Sequence, residues 1–246
     1  MIRLDPTTGT FTSTHVDFIR LCLETRSYAA AEPILDNYIH SLPSHIPVVV
    51  REGFEYSVPC ADVARSGEYI HRLSGHSDKV AFIDVQEYYV LGAMAYLGLR
   101  QFKKAHQFLE HVLVMPSANI ANGLMLEAYK KWVLLSCLVS GDAKSIPRSA
   151  NTTAIKQVRS AAKAYEAVAE TYTHLSNMPK LKAQINAGAQ TWAEVSLHAS
   201  GRPYRVLTPS SGRQHRPHQS SARQPDEGIR FAAVTDVLGN PRIEHC

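Results

Sequence analysis

At 246 residues, 45% apolar and 20% charged, the chain has the composition of a globular protein able to bury a core of useful size. Its net charge of +4 sits at one end: residues 1–194 hold 19 Lys and Arg against 18 Asp and Glu, whereas residues 195–246 hold 7 against 4. A near-neutral body gives no electrostatic case for nucleic acid as a partner, and no stretch approaches the ~18 consecutive apolar residues of a membrane span.

The N-terminus has no apolar run behind a basic start, so no secretory signal is expected. Four cysteines (Cys22, Cys60, Cys137, Cys246) are far apart and form no Cys-x-x-Cys pair. Cys22 and Cys137 fall in apolar helical patterns, which predicts free buried thiols in a reducing, intracellular setting.

In chain order, Thr14 followed by Asp17 resembles a helix start, and Val16, Ile19 and Leu23, with Phe18 and Cys22 beside them, mark an apolar helical face. Tyr28 to Leu42 reads as its partner helix, with Pro33 in the first turns, where proline is tolerated. Residues 43–83 are broken up by proline and glycine and read as an irregular insertion with one short helix near Asp62–Leu73. From Asp84 to about Gly98, Tyr89, Ala93 and Tyr96 share a face, and Phe102–Met115 is the antiparallel partner.

A helix over Leu124–Val139 follows, with Leu124, Ala128, Trp132 and Leu135 on one face and Glu127, Lys130 and Lys131 grouped opposite. Beyond Trp132 it is apolar all round, which implies burial between neighbours, and Gly141 ends it. Val158, Ala161, Tyr165, Val168, Tyr172 and Leu175 are spaced 3-4-3-4-3 and predict a helix over 155–175. A last helix, anchored by Leu181, Ile185 and Trp192, is expected over Pro179–Glu194. Residues 195–225 then contain no Asp or Glu, and Arg202, Arg205, Arg213, Arg216 and Arg223 are mixed with Ser, Pro, Gln and His. Such a segment buries too little apolar surface to offset ordering, so the expectation for 195–246 is a disordered tail, with a short strand at Ile229–Leu238 left open.

Two segments 74 positions apart share one pattern. Tyr28, Ala31 and Leu35, leading to Tyr38 and Pro43, match Phe102, Ala105 and Leu109, leading to Val112 and Pro116. An aromatic, an alanine three residues on and a leucine four further, closed by proline, form the second half of a helix-turn-helix repeat of tetratricopeptide type. The alanine permits close helix approach and the proline ends the helix. Tyr28, Ala31, Leu35, Tyr96, Phe102, Ala105, Leu109, Tyr129 and Trp132 are the expected repeat-packing residues. The fold class is therefore all-α, a TPR-like helical-repeat solenoid over 1–194.

The search for chemistry returns little. There is no phosphate-binding Gly-x-x-x-x-Gly-Lys-Ser/Thr loop, no Gly-x-Gly-x-x-Gly and no Gly-x-Ser-x-Gly. The nearest histidine pairs, His71/His76 and His106/His111, are five apart, ~140° round a helix, so they do not share a metal-binding face. No catalytic set, cofactor, metal or small-molecule substrate is expected. The Tyr88-Tyr89, Tyr96 and Phe102 cluster reads as repeat packing rather than a base-stacking platform. Lys130 and Lys131 are a solvated helix face or a contact for an acidic partner.

Met125-Leu126-Glu127-Ala128-Tyr129-Lys130-Lys131-Trp132-Val133-Leu134 resembles a helix of subunit three of the COP9 signalosome, and this is the most specific part of the likeness. Tyr88-Tyr89, Gly92-Ala93-Met94 and Tyr96-Leu97-Gly98-Leu99 resemble the helix before it, and Arg3-Leu4-Asp5-Pro6-Thr7 fits the family's opening. The resemblance covers residues 2–194. It implies a right-handed solenoid leading into a winged-helix PCI module, and a non-catalytic brace in the complex that removes Nedd8 from cullins, where a different, metalloprotease subunit cuts. It also implies other signalosome subunits as partners and a nuclear and cytoplasmic location. After Trp192-Ala193-Glu194 the likeness stops, so the PCI module is expected to be missing, through a gene-model error or a short isoform. Two alternatives remain: a free-standing TPR-like adaptor that binds peptides in a groove, and a helical enzyme with dispersed catalytic residues.

Overall fold

The structure, a computed structural model, describes residues 9–43, 70–71, 74–116, 120–141, 145–173 and 178–188. The expected helix near Asp62–Leu73 lies outside them apart from Ile70 and His71, which form a bend. Most of the 43–83 insertion, Trp192, Cys60, Cys246 and the tail 195–246 also lie outside them. The described residues form eight helices and no strand: α1 (Ser13–Glu24), α2 (Tyr28–Leu35), α3 (Phe82–Gly98), α4 (Phe102–Val114), α5 (Gly123–Ser140), α6 (Thr152–Ala161), α7 (Lys163–Thr173) and α8 (Met178–Ala187). This is a helical-repeat fold. It divides into two compact units, one of residues up to Trp132 with Ile146–Ala161, the other of Val133–Ser145 with residues from Ala162 onward.

In the first unit α1 and α2 form one hairpin and α3 and α4 the next. The α1 face buries His15, Val16, Ile19 and Cys22 at helical spacing. Ser13 meets Ser77 and Asp78, while Arg20, two turns on, reaches Glu87, so α1 and α3 lie side by side in the same direction. Helix α2 runs back along α3, with Leu35 against Gly92 and Tyr28 against Gly98. Helix α4 also runs antiparallel to α3: Tyr89 packs near His111 and Tyr96 near Phe108, with ring centroids 5.3 and 5.0 Å apart. Buried residues ring α3 on every side (Val85, Tyr88, Val90, Gly92, Ala93, Tyr96 and Leu97), as its central position requires.

The two hairpin turns repeat each other at the 74-residue offset. In the first, the amides of Thr25, Arg26 and Ser27 donate to the carbonyls of Leu21, Leu23 and Cys22; in the second, those of Leu99, Arg100 and Gln101 donate to Ala95, Leu97 and Tyr96. Each turn places an arginine in the left-handed region, Arg26 at φ 56° and Arg100 at φ 59°. A Cβ-bearing residue there costs about 1 kcal/mol relative to glycine. Arg100→Gly should therefore raise stability by roughly 0.5–1 kcal/mol in chemical denaturation; destabilisation would show that the exposed side chain holds the turn.

Helix α2 ends seven residues earlier than its sequence pattern suggests. Pro33 is its sixth residue, not part of its first turn. Proline supplies no amide and crowds the carbonyl four residues earlier, so the helix does not continue past the next turn. The Asn37 side-chain amide then donates to the Pro33 carbonyl at 2.8 Å, and the chain turns back so that His40 and Ser41 donate to Gly9 and Phe11 donates to Ser41. Tyr38, matched to Val112 by sequence, is consequently 81% exposed, whereas Val112 is fully buried.

Asparagine caps start the next two helices. Asn122 Oδ1 accepts from Met125 N at 2.8 Å, and Asn151 Oδ1 accepts from Thr153 N and Ala154 N. Helix α5 closes with Gly141 at φ 73°, its amide on the Cys137 carbonyl. The single helix expected over 155–175 is two helices: the chain turns at Ala162, and the amides of Tyr165 and Glu166 restart the ladder on its carbonyl. Val158, Tyr165 and Val168 of the predicted series are buried, but Ala161 is exposed and Ala162 takes its place in the core, so the turn shifts the buried position by one residue. Within the second unit α7 packs on α8, where Leu181 is buried.

Candidate interaction surface

The most organised polar cluster in the first unit joins α2, α3 and α4. Lys104, in the first turn of α4, places Nζ 2.8 Å from Asp36 Oδ1 and 3.5 Å from Glu32 Oε1. Gln101 Nε2 donates to Glu32 at 2.5 Å, and the Tyr96 hydroxyl donates to Asp36 Oδ1 at 2.6 Å. The Lys104 ammonium also lies 5.2 Å from the centre of the Tyr96 ring. Burial pushes the Asp36 carboxyl up, but the hydrogen bonds from Lys104 and Tyr96 outweigh it and hold the group below its usual range. Burial and the bond to Asp36 raise Tyr96 well above the ordinary phenol range. These charges are committed to one another and act as a brace across three helices.

Beside this brace lies an aromatic group. Tyr89 packs edge-on to Phe108 with centroids 5.1 Å apart, and His111 lies against both rings. Tyr89, Phe108 and the exposed His111 and Tyr38 give the α2–α4 face a partly accessible aromatic surface. Such a surface suits protein recognition, since aromatic rings contribute large contact area at little entropic cost.

The predicted packing residues take these places. Ala31, Ala105 and Leu109 are fully buried or nearly so, as are Leu35, Tyr96, Tyr129 and Trp132; Tyr28 and Phe102 are half-buried. Tyr28 lies flat over Gly98, where an added Cβ would come within 2.8 Å of three ring atoms. Trp132 stacks on His106 at 5.3 Å and on Tyr129 at 6.2 Å, tying α5 to α4. Asn122 Nδ2 donates to Gln86 Oε1 at 2.6 Å, which brings the start of α5 beside α3. Gln86 and Asn122 have no sequence signature, because their pairing depends on helices 36 residues apart.

Lys130 and Lys131 are not on a solvated face. The Lys130 side chain is 8% exposed, and both ammoniums close on Glu127, at 2.8 and 2.9 Å. Three and four residues apart on a helix, they reach the same carboxylate. Burial raises Glu127, but Lys131 and Lys130 together overcome this and hold it below the ordinary range.

Among the described residues, no group of three or more His, Cys, Asp or Glu side chains is placed to hold a metal ion. No described helix is long and apolar enough to cross a membrane. Cys22 and Cys137 are buried free thiols.

Residues 67–155 match the family described as COP9 signalosome complex subunit 3, N-terminal helical repeats. The chain is 28% identical over 186 residues to the COP9 signalosome complex subunit 3 of Emericella nidulans, covering 76% of this chain and 36% of that protein. It is 24% identical over 174 residues to the protein of the same name from Neurospora crassa, covering 70% of this chain and 34% of that protein. The chain thus spans about a third of the length of these relatives. Both helix segments that carry the resemblance in the sequence, around Tyr88–Leu99 and Met125–Leu134, lie inside the matched region.

Proposed function

We propose that this chain is a non-catalytic scaffold of the COP9 signalosome, supplying a TPR-like solenoid surface on which other subunits assemble. The supporting observation is a pair of hairpins whose turns share one hydrogen-bond pattern, the second of them, α3–α4, lying inside the segment matched by the helical-repeat region of subunit 3. Rigid stacked hairpins present extended faces for other proteins. The charged side chains at the α2–α4 junction are engaged in bracing the helices, a structural use. On this reading the signalosome's removal of Nedd8 from cullins is carried out by another subunit, and this chain works in the nucleus and cytoplasm. Lys130 and Lys131 act in the scaffold through Glu127, and any part they take in partner contact runs through the helix they brace.

Coexpression of the full chain with the remaining signalosome subunits, followed by size-exclusion chromatography, tests this. Co-elution with at least one subunit is expected, and cleavage of a neddylated cullin by the chain alone is not. Elution apart from every subunit, or metal-dependent cleavage by this polypeptide by itself, would overturn the reading.

A further inference from the structure

We infer that Arg26 and Arg100, at the two hairpin turns of the first unit, form with Lys103 an edge that binds an acidic segment of a partner protein through its carboxylates. Helices α1 and α3 run in the same direction, so their turns lie at the same end of the unit. The Tyr28 ring over Gly98 joins the two turns: Arg26 is two residues before Tyr28, and Arg100 two residues after Gly98. Lys103 follows in the first turn of α4. All three side chains are exposed, and among the described residues none of them pairs with a carboxylate.

The backbone at both turns favours glycine, yet both carry arginine. Each is a Schellman motif: Ser27 and Gln101 donate back to Cys22 and Tyr96, and Arg26 and Arg100 donate to Leu23 and Leu97. The left-handed residue after a helix is ordinarily glycine, as Gly141 is after α5. Arg26 at φ 56° and Arg100 at φ 59° bear the Cβ strain of that conformation instead. Packing does not offset it, since both side chains are exposed. Strain kept twice at solvent-facing positions points to a use of the side chains outside the fold.

The neighbouring acids are already engaged. Glu32 accepts from Gln101 and Lys104, Asp36 from Lys104 and Tyr96, and Glu24 lies with Asp17 and Glu87 around Arg20. Ser27 and Gln101, the N-caps of α2 and α4, place no side chain on the first-turn amides, so two positive helix ends add to the field at this edge. A guanidinium takes a carboxylate through two parallel N–H donors, and two of them at joined turns fit a segment bearing two carboxylates. Glu32 and Asp36 close by repel a continuous polyanion such as nucleic acid or an anionic lipid surface, which favours a short protein segment with discrete acids. Binding at this edge is independent of signalosome assembly, so its test uses no signalosome subunit.

The probe is a short labelled peptide of alternating glutamate and alanine, titrated against the full chain at low salt and followed by NMR. A glutamine–alanine peptide, a double-stranded oligonucleotide and phosphatidylserine vesicles are the comparisons. The native chain should bind the glutamate peptide at least about tenfold more tightly than the glutamine peptide, with amide shifts at Thr25–Ser27 and Leu99–Lys103. The double variant Arg26→Gly/Arg100→Gly should bind it at least about tenfold more weakly while its denaturation midpoint stays equal or rises. Arg26→Gln/Arg100→Gln, which keeps each Cβ and loses the charge, should bind as weakly. A lower midpoint in the glycine variant overturns the inference, because the fold itself would then need the arginines. So does undiminished peptide binding by either variant, no preference for glutamate over glutamine, shifts confined to other residues, or tighter binding of the oligonucleotide or vesicles than of the peptide.

Discussion

Replacing Glu127 with alanine should destabilise the protein by roughly 3 kcal/mol in chemical denaturation, because it removes one half of a largely buried ion pair, the carboxylate that Lys130 and Lys131 share. The Lys130 side chain is 8% and that of Lys131 15% exposed, so solvent cannot replace the carboxylate that both now share. The same carboxylate makes stability depend on pH. Its native titration lies below the ordinary 4.5, so its contribution is fully present above that pH and is lost as pH falls through the lowered native value. Asp36, also lowered, adds a loss in the same direction. The native chain should lose stability steeply below pH 4.5, and Glu127→Ala less steeply. A cost under about 1 kcal/mol, typical of a surface ion pair, would show that the lysines reach water.

Gly92→Ala should cost about 1–3 kcal/mol even though alanine is the better helix former. A Cβ at Gly92 would lie 2.8 Å from Leu35 Cδ2 and 2.8 and 2.9 Å from two carbons of the Phe108 ring. Helices α2 and α4 therefore meet α3 at one point, and relief on one side presses on the other. Leu35 is 3% exposed and has little room to move, while displacing Phe108 disturbs its packing on both Tyr89 and Tyr96. Gly123 is the control, since no heavy atom lies within 4 Å of an added Cβ there. Gly123→Ala should be neutral or stabilising by up to about 1 kcal/mol. Equal effects at both glycines, read from denaturation midpoints, would count against the three-helix convergence.

Local signals were sufficient for much of the helical pattern. The 74-residue match foretold two hairpins, and their turns coincide down to a left-handed arginine in each. Turn and packing constraints within one hairpin act over a few residues, so they leave a readable pattern of aromatic, alanine and leucine. Helix ends depended on competing partners. The exit from α2 at Leu35 reflects both Pro33, which was visible, and the return of His40 and Ser41 to Gly9, which was not. The turn at Ala162 moves the buried position from Ala161 to Ala162, a shift hidden in the sequence because both residues are alanine, so periodicity alone runs straight through it.

The sequence by itself determined that this is a helical-repeat protein and which residue types recur at its hairpins, because those features rest on periodicity and local turn chemistry. Only the tertiary structure decided where the charges go. Glu127, Lys130 and Lys131 look like one solvated patch on a helical projection, yet packing buries Lys130 and turns the patch into an internal ion pair. Likewise, Glu32, Asp36, Tyr96, Gln101 and Lys104 meet only because three helices converge. A residue's helical angle is set by its own segment, but its exposure is set by what packs against that angle, and such packing brings together residues some 60 or more positions apart.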